Sequence, residues 1–402
     1  MKARVVRLVL AVCLVGGVVA ADAAAATGDL IQKPGADGCL STVGFCSPGR
    51  ALAGAGSVAV SPDGQNAYVV ASSSEAVSVF DRAADGTLTQ KPAGDGCISN
   101  QGTGGCVQGT ALIGAASVTV SPDGRSVYVA SPYHGAVTVF DRAADGTLAQ
   151  KPAGDGCISN DGTGGCVLGT ALDGANSVAV SPDGRSAYVA SRESNAVAVF
   201  DRAADGKLTQ KLDTEGCISE DGAGPCFDGT AVEGAHSVAV SPDGRSAYVA
   251  SSASNAVALF DRAPDGTLRQ KPRDGACVSE SGAARCTAGT ALDSPRSVTV
   301  SPDGKSTYVA SYGSDAVALF DRAPNGALTQ KAGRAGCVSD TGSEDTCVNG
   351  TALSAAYSVT VSPDGQSAYV ASSRSDAVAI FDRAPDGTLT QKLDLEGCIS
   401  ED

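Results

Sequence analysis

Two histidines, His134 and His236, are all the imidazole that this 402-residue chain possesses. No Ser/His/Asp or Cys/His set assembles from them, because each such set needs a base that a third group orients. His236 nevertheless has company. It falls in a column of residues spaced 60 apart, with one final step of 61: Gly56, Ala116, Asn176, His236, Arg296 and Tyr357. The last four are all polar and all different. Held together, a guanidinium, an imidazole, a carboxamide and a phenol would meet a small anionic or sugar-like ligand, through its carboxylate, phosphate or hydroxyl groups. Arg296 is always charged and His236 is expected to titrate near neutrality, so binding of an anion should weaken as pH rises. Drift at an exposed position is the plainer reading of the same column.

Fourteen cysteines are the second chemical resource. Twelve fall into close pairs: Cys39 and Cys46, Cys97 and Cys106, Cys157 and Cys166, Cys217 and Cys226, Cys277 and Cys286, Cys337 and Cys347. In an exported chain these read as six local disulfides. Of the two that remain, Cys13 lies in the N-terminal apolar run, and Cys398 is left over, free or recruited between molecules. Zinc would need ligands two to four residues apart and more histidine. The Asp, Asn and Gly residues around the cysteines match no calcium loop in full. Neither a metal nor a cofactor is expected. The triplet Phe-Asp-Arg, as in Phe200-Asp201-Arg202, recurs six times. A catalytic centre is normally one asymmetric constellation, so the triplet is expected to anchor a turn by an ion pair.

The elements that position these groups are set by one repeat. Ser-Pro-Asp-Gly begins at Ser61, Ser121, Ser181, Ser241, Ser301 and Ser362. Around it each unit reads S-V-x-V, then x-Y-V-A-S, A-V-x-x-F-D-R and x-L-x-Q-K. Val and Tyr crowd these runs, and Pro-Asp-Gly and Asp-Gly supply the positive φ that tight hairpins need. Four strands fit in about 35 residues, and the rest of each unit is an insert carrying the cysteine pair. Fifty glycines and 4% aromatic residues also argue against long helices. Tandem four-stranded antiparallel sheets, apolar on both faces, are the blades of an all-β propeller.

At this point the residues carry a resemblance. Ser237-Val238-Ala239-Val240-Ser241-Pro242-Asp243-Gly244, Ala247-Tyr248-Val249-Ala250-Ser251 and Gly266-Thr267-Leu268 resemble the repeats of the lactonase-like, YVTN-type β-propeller family. The likeness covers about 35 residues of every 60, six times over. It implies lactone hydrolysis of the 6-phosphogluconolactonase type, and Ala235-His236-Ser237-Val238 looks like that family's His-x-Val entry to a strand. Against this stand the missing glutamate beside His236 and the lack of histidine in the other units. The favoured reading is therefore a binding or scaffold propeller with a ligand at the axial mouth, and lactone hydrolysis is the alternative.

Strand direction puts the inserts and the second-to-third turns on one face, the top, with Ser-Pro-Asp-Gly beneath. Tyr133, Tyr312, Tyr357, Phe45, Phe227, His134 and His236 all break the repeat and all fall in top-face segments. Gly28-Asp29-Leu30-Ile31-Gln32-Lys33 matches a fourth strand, and Cys398 opens an insert that stops at Asp402. Residues 28–33 are thus expected to be a β-strand of a seventh blade, completed by strands beyond Asp402. Otherwise an open ring is expected, with that strand unpaired or added to a neighbour. Lys2, Arg4 and Arg7 before the apolar run Leu8–Ala21 read as a secretory signal over residues 1–26, leaving 27–402 as one propeller domain truncated at its C-terminus. The run is too short to span a bilayer as a helix. A net charge of −15 excludes a phosphate-backbone partner. A small molecule, or an extracellular protein or glycan, is the expected partner of this secreted protein.

Overall fold

A computed structural model describes residues 28–400, apart from 43–45, 221, 223, 273–274, 283–285, 341–345 and 394–395. The expected signal segment and Phe45 lie outside the described residues. Six sheets follow one another in chain order, one for each repeat. In blade four the strands are Ala235–Val240, Ser246–Ser251 and Ala256–Arg262, running antiparallel with Val238 opposite Val249 and Tyr248 opposite Leu259. The outermost place is shared. Leu268–Gln270 pairs with the lower half of the third strand, and Cys277–Ser279, from the insert, pairs with its upper half. A short parallel strand, Thr287–Ala288, then ends the sheet. The insert is therefore part of the blade, held there by its disulfide.

The turn beneath each blade explains the Ser-Pro-Asp-Gly signature. Ser241 Oγ donates to Asp243 Oδ1 at 2.5 Å and accepts from the Ser246 amide at 3.0 Å, while Gly244 takes φ +68°. Glycine supplies that φ without a Cβ clash. Hydroxyl and carboxylate close the hairpin that sends the second strand back alongside the first.

Apolar faces of neighbouring blades make the core. Tyr188, Val197 and Val199 of blade three pack with Val238, Val249 and Phe260 of blade four, all nearly or fully buried. Each junction also carries a polar latch. Arg262 Nε donates to Tyr188 Oη at 2.7 Å, and its Nη2 reaches Asp183 Oδ2 at 2.9 Å and Ser186 Oγ at 3.1 Å. Tyr188 Oη in turn donates to the carbonyl of Gly266 at 2.7 Å. The same latch joins Arg142 to Asp63, Arg202 to Asp123, Arg322 to Asp243 and Arg383 to Asp303. So the Phe-Asp-Arg triplet is structural, but its two charges do not pair with each other. In blades two to six the arginine crosses to the preceding blade, while Arg82 of blade one donates to its own Gly64 carbonyl; the aspartate takes a lysine of its own blade, as Asp201 takes Lys211 at 2.7 Å.

The six blades form an arc in which first strands stand side by side, from blade one to blade six. Between blades six and one the expectation for residues 28–33 needs correction: they are a turn followed by chain without regular secondary structure, not a β-strand. A fourth strand is defined by its ladder to the third strand of its own blade, and among the described residues none pairs with them. They still sit at a fourth-strand place. Tyr369 Oη donates to the carbonyl of Gly28 at 2.9 Å, Lys392 pairs with Asp29 at 2.8 Å, and Lys33 pairs with Asp85 of blade one at 3.1 Å. This segment bridges the two ends of the arc of six blades.

All six cysteine pairs are bonded as the spacing implied, and Cys398 is free. Disulfides belong to oxidising compartments, so these fit an extracytoplasmic protein. Among the described residues no helix is long and apolar enough to cross a membrane.

Candidate functional site at the axial mouth

The polar column does not precede the first strands, as its sequence position suggests, but sits inside five of them. Ala235 pairs with Ser251 and Ser237 with Ala250, so His236 is the extra residue of a β-bulge. Gly56, Asn176, Arg296 and Tyr357 are bulged in the same way. Ala116 instead lies one residue before its strand and donates its amide to the Ala130 carbonyl at 3.0 Å. A bulge frees one residue from the alternation of a strand and re-aims its side chain. Here that brings the whole column to one cavity of about 320 Å³, which Asn176, His236, Arg296 and Tyr357 all line.

His236 is the most enclosed of the four, 9% exposed. Its Nδ1 lies 3.0 Å from the carbonyl of Arg296. A carbonyl only accepts, so Nδ1 carries the proton and Nε2 keeps its lone pair. Tyr357 meets the imidazole edge-on, with ring centroids 5.7 Å apart. Burial and then the Arg296 charge lower the His236 pKa from 6.5 to about 4. The expectation that His236 titrates near neutrality is thereby overturned: desolvation disfavours the imidazolium. Arg296 stacks on Tyr312, its guanidinium carbon 5.3 Å from the ring centre, and Arg374 stacks on the same ring at 5.1 Å. Arg296 Nε is buried with no partner.

Sequence reasoning missed two residues of this cavity. Arg192 and Glu193 come from the second-to-third turn of blade three and line the mouth with His236, where no glutamate was expected. They pair with each other at 3.6 Å. Their signal was available, since the corresponding turns of the other blades carry no such pair. Tyr133 joins the lining, largely exposed. His134 does not. Its Nε2 is buried without a partner, near Gly164 of an insert. Phe227 is exposed on an insert strand. Among the described residues no group of three His, Cys, Asp or Glu side chains is placed to hold a metal ion.

Two arginines against one glutamate make the mouth cationic in a chain of charge −15. The neutral histidine beside them offers a base. A propeller with repeated blades and one irregular polar mouth is the class that fold and site define. The chain matches the family described as Lactonase, 7-bladed beta-propeller, over residues 46–153 and 169–339, more than half its length, and belongs to it. No curated protein matches it in sequence. Among solved structures it is similar to a putative 6-phosphogluconolactonase from Bacteroides uniformis, 20% identical, with TM-score 0.58 over 86% of this chain and 84% of the other. The periplasmic gluconolactonase of Pseudomonas aeruginosa is likewise 20% identical, with TM-score 0.58 and 84% of each chain covered. A putative 6-phosphogluconolactonase from Bacteroides fragilis, also 20% identical, gives 0.57 over 87% and 85%. At that identity the structures speak for the fold. Family membership corrects the favoured reading of a binding scaffold in favour of the lactonase alternative, and the absence of glutamate that weighed against it does not hold.

Proposed function

We propose that the protein is an exported lactone hydrolase whose reaction takes place at the axial mouth. The observation that carries this reading is His236: enclosed, neutral, and oriented through Nδ1 so that Nε2 is the free acceptor. As a general base, Nε2 takes a proton from a water whose oxygen attacks the lactone carbonyl. The tetrahedral oxyanion then collapses, the ring C–O bond breaks, and the proton returns to the leaving alkoxide, giving the hydroxy acid. Arg296, with an unpartnered N–H, stabilises the oxyanion or an anionic substituent, while Asn176 and Tyr357 orient hydroxyls.

Hydrolysis of glucono-δ-lactone and of its 6-phosphate, followed by acid release at constant pH, tests the proposal. Activity of the parent is expected to hold from neutrality downward and to fall as pH drops through about 4, where His236 takes up a proton. His236→Gln is expected to lose at least about a hundredfold in kcat, the lower range for general base catalysis. Hydrolysis no faster than the uncatalysed rate for both lactones, or a fully active His236→Gln, would remove this reading.

A further inference from the structure

The axial mouth is divided by polarity, and the division follows the blades. Asn176, Arg192, Glu193, His236, Arg296 and Tyr357 come from blades three to six. Blade two supplies Gly114, Ala115, Ala116, Pro132 and Tyr133 to the same cavity. Of these five only Tyr133 has a polar side-chain atom. Their backbone adds little, because the amides of Ala115 and Ala116 are spent on the carbonyls of Leu112 and Ala130, at 3.1 and 3.0 Å, and proline has no N–H.

Neighbouring blades draw this contrast from one framework. Gly114 and Gly174 hold the same place in blades two and three, with φ +72° and +69°. A Cβ on Gly174 would come 2.8 Å from Glu193 Cγ, and one on Gly114 would come 2.5 Å from Tyr133 Cδ2. Each glycine thus lets the turn after the second strand fold closely over it. The side chain laid there is a carboxylate in blade three and an aromatic ring in blade two. Beside it the column gives Asn176 in one blade and Ala116 in the other. Tyr133 is 83% exposed. A single exposed tyrosine needs no explanation, but this one stands with alanine, glycine and proline inside a cavity whose other half carries the charge.

A ligand that fills the mouth has to match both halves. Hydroxyl groups laid on blade two would leave water and find no side-chain partner but the Tyr133 phenol, and an unmatched polar group costs free energy. Apolar atoms laid there gain by leaving water and by contact with the ring face. We infer that the mouth takes lactones that carry an apolar substituent, with the lactone ring towards His236 and Arg296 and the substituent against Tyr133 and Ala116. The inference rests on the reading of the mouth as a lactone site and adds the class of ligand: an amphipathic lactone, in preference to one hydroxylated all round.

Two δ-lactams, 6-methyl- and 6-pentylpiperidin-2-one, are the probes. A ring N–H replaces the ring oxygen of the lactone, so they occupy the site without being opened, and calorimetric titration into the whole protein reads binding alone. The pentyl compound is expected to bind at least about tenfold more tightly than the methyl compound, since each fully buried methylene is worth about fourfold. Tyr133→Ala and, separately, Ala116→Asp are each expected to cut that ratio at least about threefold. The exposed position of Tyr133 guards the first variant against a folding defect. Equal binding of the two lactams, or a ratio unchanged in Tyr133→Ala, overturns the inference. So does tighter binding of a lactam that carries a glucosyl group in place of pentyl, since the platform then takes a sugar. A protein that hydrolyses neither gluconolactone and still prefers the pentyl lactam removes the catalytic reading and supports this one.

Discussion

The underside and the mouth of the propeller are built by the same six repeats and treat sequence in opposite ways. Beneath, five junctions carry the same arginine, tyrosine, serine or asparagine, and aspartate, with nearly the same distances. Above, the bulged column changes from Gly56 to Asn176, His236, Arg296 and Tyr357 as it goes round. A contact needed at each junction is kept in each copy, so it reports packing. A position that tolerates glycine in one blade and holds arginine in another is not needed to fold a blade, and its chemistry is available for a ligand. Repetition here marks stability, and departure from it marks the site.

His236→Gln offers the largest expected effect and separates activity from stability. Besides the loss of hydrolysis, the variant should change how stability depends on pH. The folded-state pKa of about 4 lies below the unfolded 6.5, so the unfolded chain binds the proton more readily between those values. Stability therefore falls as pH drops from 6.5 to 4, by up to about 3 kcal/mol from this group. Denaturant melts of His236→Gln across that window should show a smaller loss than the parent. An unchanged slope would mean that the imidazole is not desolvated.

On the underside, Arg262→Met should cost about 2–3 kcal/mol in the same melts while leaving kcat/KM of the folded protein intact. The figure is at the low end for a broken buried pair because Asp183 is 39% exposed and water can take over part of its charge. Arg296→Met should do the reverse. Loss of one charge-assisted hydrogen bond is worth about 1.5–3 kcal/mol in kcat/KM, and most for the phosphorylated lactone, with the melting midpoint unmoved. If the two arginines exchanged effects, the division between the faces would fail. The smallest effect belongs to Arg82→Met, the latch arginine that, among the described residues, meets only its own Gly64 carbonyl. It should change stability by under about 0.5 kcal/mol, the range of a surface substitution. A cost near that of Arg262→Met would contradict its exposed position.

Blades, inserts and disulfides were legible because their determinants are local. Val and Tyr runs, Asp-Gly turns and cysteines seven to ten residues apart each act within one hairpin or loop. The candidate column was legible by its period. Its strand position was not, since a bulge arises from the pairing of two strands, and nothing in Ala235-His236-Ser237 marks the skipped register. Arg192 and Glu193 escaped notice for a related reason. They belong to blade three and meet His236 of blade four only when the blades stand side by side. Residues 28–33 match a fourth strand in sequence, yet among the described residues no third strand pairs with them, and a strand is made by its partner.

The sequence by itself determined the all-β class, the six blades, the sixfold disulfide framework and the identity of the varied column, because each follows from short-range pattern and its repetition. Tertiary structure alone decided the partners across 74 to 80 residues: which arginine latches which aspartate, and which turn faces which bulge. It also decided the protonation of His236. A histidine's ordinary pKa belongs to water, and only the packing of two blades around the imidazole, with Arg296 beside it, removes enough water to keep it neutral.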